Sequence, residues 1–299
     1  MIERTHLRIL RGIEREGSLT AAAASLHLTQ SALSHAIKKL EQQSGATIWE
    51  RDGRRVRLTP AGDYLLNAAN RLLPQLERAD EVLTEYGEGE QGSLRIGMEC
   101  HPCYQWLLKV VEPYLQAWPG VDIDVMQQFQ FGGMAALFSH DIDILVTPDP
   151  LDRPGVLFEP VFDYEQILAV AADHRLAGRD HIKPSDLNNE VLFSYPVDAD
   201  RLDIYTRFLT PARCAPRKHK SVESTDIMLQ LVAAGRGVAA LPRWLIGEYA
   251  DKLSLEAVRL GRKGIPKQIH LGVRKVDRHN QHIEALLELA QTVGELGER

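Results

Sequence analysis

The sequence predicts a mixed α/β chain with a helical amino-terminal part and an alternating strand–helix remainder. Three observations predict it: two short helical patterns joined by a tight turn within residues 18–40, one long helical pattern over 60–86, and strands alternating with helices from 94 onward. The 299 residues can hold two or three domains, and a hydrophobic content of 44% suits folded cores.

Ser18 starts the first pattern as an N-cap, and Leu19, Ala22, Ala23 and Leu26 follow at helical spacing. Thr29 caps the second helix. Leu33, Ile37 and Leu40 share one face of it, while Ser31, Ser34, His35 and Lys38 share another roughly 145° away; Gln30 lies at its start. Hydroxyl, amide, imidazole and ammonium groups match base edges and phosphates. The alternative is a helical hairpin with a solvated polar face.

Trp49–Leu58 reads as a hairpin turning at Asp52-Gly53, with Arg51, Arg54, Arg55 and Arg57 around its tip, a positive field suited to phosphates. Thr59-Pro60 then starts a helix, a capping hydroxyl followed by proline at the first helical position. Charge supports the division: residues 1–62 carry a net +4 and the remainder −10. Nucleic-acid attraction is therefore expected at the amino-terminal end alone.

In the helix over 60–86, Leu65, Ala69, Leu72, Leu76, Ala79 and Leu83 are spaced 4, 3, 4, 3, 4, a heptad seam that predicts helix pairing and a dimer. The alternative is an amphipathic helix packed on its own domain. Pro74 predicts a kink or lost hydrogen bonds. Residues 87–93, with three glycines among polar neighbours, read as a hinge. Beyond it, strands are expected at 94–99, 121–126, 142–147, 164–171, 190–194, 218–222, 236–241 and 268–274. Helices are expected at 103–117, 132–139, 200–209, 225–234 and 278–295.

On these residues the chain resembles the LysR-type transcriptional regulators. Gly17-Ser18, Ala21-Ala22, Leu26, Thr29–Ser34, Ile37, Leu40-Glu41, Gly45 and Arg57–Gly62 carry the resemblance at the amino-terminal end. Ser224-Thr225-Asp226 and Ala234–Pro242 carry it further on. Ser31 stands where many members have proline, and His35 where many have arginine, so base preference can differ. The resemblance implies a winged helix-turn-helix at 1–60, a linker and dimerisation helix at 61–86, and an effector-binding domain at 94–299. That domain would be two-lobed, like periplasmic binding proteins, with one lobe over 94–162 and 268–299 and the other over 163–267. It also implies a sequence-specific regulator that binds promoter inverted repeats in double-stranded DNA, acts as a dimer or tetramer and engages RNA polymerase.

Ligands in such α/β folds collect at strand ends and helix starts. Glu99, Cys100, His101 and Cys103 follow the first strand, Thr147 and Tyr195 end others, and Thr225 and Asp226 open a helix; these are the candidate effector contacts. Glu99 and Asp226 are equally readable as solvated or capping carboxylates. Cys100-x-x-Cys103 with His101 admits zinc or iron ligation or a redox pair, but the remaining ligands of a structural zinc site are missing. Packing cysteines beside a pocket, with no metal and no cofactor, are the preferred reading. Glu99–Leu107, Phe162–Glu165, Tyr195–Val197 and Arg201–Asp203 resemble the methionine-biosynthesis branch of the family, whose members respond to homocysteine. That effector is therefore expected.

Three cysteines argue against a disulfide framework and fit a cytoplasmic protein. No export signal and no apolar run of membrane-spanning length is present, so no membrane partner is expected. Two rivals are a thiol enzyme and a solute-binding protein. The first lacks a separated Cys/His pair, a phosphate loop or a nucleophile elbow, so no catalytic residue is assigned. The second lacks an export signal.

Overall fold

The computed structural model describes residues 2–52, 55–88, 92–100, 102–126, 132–249 and 251–297. The chain divides into two compact units, Met1–Gly92 with Phe138–Asp141, and Ser93–Leu137 with Ile142–Arg299.

The first unit opens with α1 (Arg4–Glu16), α2 (Leu19–Ser25) and α3 (Gln30–Ser44). Both expected caps form: the Ser18 hydroxyl accepts from Ala21 N at 3.2 Å and the Thr29 hydroxyl from Ala32 N at 3.1 Å. Strands β1 (Trp49–Asp52) and β2 (Arg55–Leu58) pair antiparallel, Trp49 opposite Leu58. Gly53 and Arg54, expected at the wing tip, lie outside the described residues, as do the side chains of Arg51 and Arg55. Glu41 ties α3 to the wing by accepting from Ile48 N at 2.7 Å.

Helix α4 (Pro60–Glu88) begins where Thr59-Pro60 predicts, and Thr59 Oγ1 accepts from Gly62 N at 3.2 Å. The helix runs unbroken through Pro74. Leu7, Leu10 and Ile13 of α1, Ala22 and Ala23 of α2, and Leu33, Ile37 and Leu40 of α3 form one core with Leu65, Ala69 and Leu73 of α4. Each fully buried Leu or Ile contributes about 1.5–3 kcal/mol. The expected seam is therefore split. Leu65 and Ala69 are core residues of their own unit, because with Leu73 they lie on the α4 face turned to the α1–α3 core; α1 runs alongside as far as Glu77 and Asp80, which pair with Arg11 and Arg4. Leu72, Leu76 and Leu83 are 39%, 40% and 70% exposed, and Ala79 is exposed with them. The hinge reading also shortens. Gly87 and Glu88 end the helix and Gly92 begins a strand, while 89–91 lie outside the described residues.

The second unit begins with β3 (Gly92–Met98), α5 (Cys103–Ala117), β4 (Val121–Met126), α6 (Gly133–Phe138) and β5 (Ile144–Thr147). A 16-residue strand, β6 (Val156–Ala171), follows. Next come β7 (His181–Ile182), β8 (Val191–Ser194), β9 (Lys218–Ser221), α7 (Thr225–Ala233), β10 (Val238–Pro242), α8 (Arg243–Tyr249) and β11 (Leu255–Leu260). The chain returns through β12 (Ile265–Arg274) and closes with α9 (Gln281–Gly297). The main sheet runs β4-β3-β5-β12-β6-β10-β8-β9.

β6 and β12 pair antiparallel from Gln166↔Ile265 to Val156↔Arg274, so the two crossings between lobes form one ribbon. One lobe core gathers β3, β5, α5 and α9. The other lobe holds two cores on opposite sheet faces, one of β6, β8 and β11 residues and one against α7 and α8. The helix expected at 200–209 is corrected to a 3₁₀ turn at Ala199–Arg201 and a π turn at Ile204–Leu209, because Leu202 between them is extended.

A buried ion pair anchors the first lobe. Arg274 Nη2 donates to Asp143 Oδ1 at 2.8 Å, and its Nη1 donates to the carbonyls of Leu137 and Ile142 at 2.8 and 2.6 Å. Arg95 N and Nε reach Asp143 Oδ2 at 3.1 and 3.2 Å. Burial pushes the Asp143 carboxyl up, but Arg95 and Arg274 more than offset this and hold it below its usual range.

Two outcomes are expected. A Cβ at position 62 would lie 2.2 Å from the Ile48 carbonyl oxygen, whereas none of the neighbours of Gly87 would be touched. Gly62→Ala should cost the first unit about 1–3 kcal/mol in urea denaturation, and Gly87→Ala should be neutral or slightly stabilising. Arg274→Ala, which strands a buried carboxylate, should cost the second unit about 3–5 kcal/mol. Because the folded pKa of Asp143 is depressed, its stabilisation is present above the unfolded value of about 4 and is lost as pH falls through the folded value. Asp143→Asn should flatten acid destabilisation in that window; an unchanged pH profile would contradict the assignment.

Candidate functional site

The first unit presents one polar helix face. Leu33, Ile37 and Leu40 anchor α3 in the core, and this leaves Gln30, Ser31, His35 and Lys38 exposed and Ser34 half-buried. Thr29, Ser31 and His35 line a shallow depression with residues of the α1 start. On the wing, Arg57 is exposed and faces Glu50 at 3.6 Å. Ser18 is exposed and spends its hydroxyl on its own cap. A helix seated on a core by one face, with donors and acceptors on the other, can enter a major groove.

In the second unit a cavity of about 680 Å³ lies between the lobes. Glu99, Cys100, Thr147 and Tyr195 line it, as expected from the carboxyl ends of β3, β5 and β8. Glu99 Oε1 accepts from Gly133 N at 3.1 Å. Burial pushes its carboxyl up, while a Thr147 hydrogen bond, the Gly133 N–H and the Arg201 charge pull against it. Thr147 Oγ1 also accepts from Asp149 N at 3.2 Å.

The remaining expected residues lie elsewhere. Cys103 is buried in the first-lobe core, disulfide-bonded to Cys100 with the Cα atoms 5.4 Å apart. This corrects the reading of both as unpaired packing cysteines. His101 is outside the described residues. Thr225 does not line the cavity but bonds the Tyr195 hydroxyl at 2.8 Å from behind it. Asp226 accepts from the Tyr249 hydroxyl at 2.5 Å and lines a second hollow of about 320 Å³ with Gln105 and Glu248.

Sequence reasoning left out the cleft's main charges. Lys267 on β12 donates to Asp203 at 2.9 Å and to Asp149, which joins the two lobes through the ribbon. Arg201, Tyr164 and Gln166 also line the cavity. Arg201, Asp203 and Tyr164 fall in blocks that carry the family resemblance, which was the available signal. Nothing in spacing marked Lys267. Among the described residues, no cluster of three or more His, Cys, Asp or Glu side chains could hold a metal ion.

Comparison with known proteins places both units in one family. Residues 5–63 match the family described as bacterial regulatory helix-turn-helix protein, lysR family, and residues 87–295 match the LysR substrate binding domain. The chain belongs to the LysR family of transcriptional regulators. Among curated LysR-type relatives, the HTH-type transcriptional regulator MetR of Escherichia coli is 40% identical over 291 residues, 97% of this chain and 90% of that protein. MetR of Haemophilus influenzae is 33% identical over 283 residues, 95% of this chain and 91% of that one. The solved regulatory domain of MetR from N. meningitidis superposes with a TM-score of 0.63 at 29% identity, covering 69% of this chain and 95% of that domain. Full-length CbnR in complex with its target DNA gives 0.63 at 20% identity over 98% of this chain and 100% of CbnR, a likeness of fold. As a LysR-family regulator of MetR type, the chain is a DNA-binding transcription regulator and not an enzyme, with the expected winged helix-turn-helix and two-lobed regulatory domain. No helix among the described residues is long and apolar enough to cross a membrane.

Proposed function

We propose that this regulator controls methionine-biosynthesis genes and takes homocysteine in the cleft between its lobes. The observation that carries this reading is the identity to MetR, which spans the cleft as well as the α3 face. The chemistry of the cleft supports it. Arg201 and Lys267 offer cations for a carboxylate, and Glu99, Asp149 and Asp203 offer acceptors for an ammonium. Cys100 and Leu151 give the sulfur an apolar neighbour. Calorimetry should show homocysteine binding in preference to methionine and cysteine, weakened about tenfold or more by Arg201→Ala. Equal or absent heats for all three ligands would sink the reading.

On the DNA side, the exposed α3 residues read base edges of promoter inverted repeats, and the wing arginines, Arg51, Arg54 and Arg55 among them, contact phosphates. His35→Ala should cost about 1–3 kcal/mol on a cognate site and little on unrelated DNA. An equal loss on both would contradict the base-reading role.

Leu72, Leu76, Ala79 and Leu83 leave an apolar stripe open along α4, spaced 4, 3, 4. It pairs two copies of the chain, so that two recognition helices reach successive grooves. Leu76→Asp should lower the oligomeric state by light scattering; an unchanged oligomer would reject that seam. The cytoplasm as location and RNA polymerase as partner belong to the same reading.

A further inference from the structure

The two sulfurs of the Cys100–Cys103 disulfide are not equivalent. Cys100 is 6% exposed and lines the cleft, whereas Cys103 is 0% exposed and packs in the first-lobe core with Trp106 and Leu107. Both pack in the first-lobe core, but of the two only Cys100 lines the cleft. Homocysteine and methionine differ by one methyl on sulfur, and packing around one methyl separates two ligands by only about 10–200-fold. A disulfide separates them by chemistry, because a thiolate attacks it and a thioether cannot.

We propose that the cleft captures its thiol effector by thiol–disulfide exchange at Cys100, a step that rests on reading the cleft as the homocysteine site. The ligand thiol gives its proton to water. Its sulfur bonds to Cys100 Sγ as the Cys100–Cys103 bond breaks. The electron pair of that bond leaves on Cys103 Sγ, which then takes up a proton. One protein disulfide is consumed and one mixed disulfide forms, so no outside oxidant enters. Cys103 is the first residue of α5, a helix of 15 residues, whose positive amino-terminal end favours a leaving thiolate. Attack by Cys103 on the mixed disulfide releases the effector, so capture is reversible. Cys214, half-buried and unpaired in the other lobe, has no disulfide to exchange and serves as an internal control.

The full-length protein, purified without reductant, is incubated with homocysteine or methionine and read by intact mass and peptide mapping without reduction. The expected result is one homocysteine adduct per chain, on Cys100, and none with methionine. Calorimetry on a Cys100→Ser/Cys103→Ser protein completes the test; the corresponding regulatory domain of the N. meningitidis relative has been solved as a double cysteine-to-serine mutant. In that variant the preference for homocysteine should fall to no more than the roughly 10–200-fold that packing allows. Homocysteine binding to both proteins with no adduct and unchanged preference would overturn exchange and leave the homocysteine reading standing. Homocysteine binding to neither would overturn both. Freely alkylated Cys100 and Cys103 in the untreated protein would overturn exchange.

Discussion

The β6–β12 ribbon is the constraint on which the regulatory unit depends. Its ladder from Gln166↔Ile265 to Val156↔Arg274 carries the chain out to the second lobe and back. Because both crossings are hydrogen-bonded to each other, the lobes cannot separate without breaking that ladder. They can still turn about it. The register shifts between Ile269 and His270, opposite Pro160, so the ribbon bends where the lobes meet. Lys267 stands on the ribbon and grips Asp149 from one lobe and Asp203 from the other. Phe162 on β6 gathers Trp106 and Trp244, ring centroids 5.2 and 6.3 Å away, from α5 and α8. The cleft is the space this geometry leaves.

Two kinds of contact then set how the lobes are held. Within the first lobe, Arg274 at the end of the ribbon locks Asp143, Leu137 and Ile142 together, so a turn of the ribbon moves that lobe as a body. Between lobes, Gln105 Nε2 of α5 donates to the Tyr249 hydroxyl of α8 at 2.6 Å, and Lys109 pairs with Glu248. A ligand shifts such an arrangement only by binding its alternatives unequally. Moving a 1:99 balance to 99:1 takes about 5.5 kcal/mol of differential affinity.

Much of the fold was legible because local chemistry and burial agree. α3 shows the expected buried and exposed faces, α4 starts at its cap, and β4 and α5 match their expected limits of 121–126 and 103–117. Reading failed where long-range packing decides. The first half of β6 was missed because Pro160 and the acidic Glu159 and Asp163 break its apolar run, yet a bulge in the ribbon absorbs the proline. α8 and β11 are only seven and six residues long, and α8 starts directly after Pro242 at the end of β10, so neither shows a sustained period of its own. In the α4 seam, spacing gives the apolar positions, but packing against the α1–α3 core decides which of them are already covered. In the cleft, strand-end position located Glu99, Cys100, Thr147 and Tyr195, while Lys267 meets Asp149 across 118 residues of chain and no local pattern announces it.

On the proposed reading, a ligand in the second unit governs DNA reading by the first. Genome-wide footprinting in cells with and without homocysteine measures that coupling. The expected result is occupancy upstream of methionine-biosynthesis genes, with a footprint whose extent or strength changes when homocysteine is supplied. Footprints at those promoters that are identical in both conditions, while calorimetry shows homocysteine in the cleft, would contradict it.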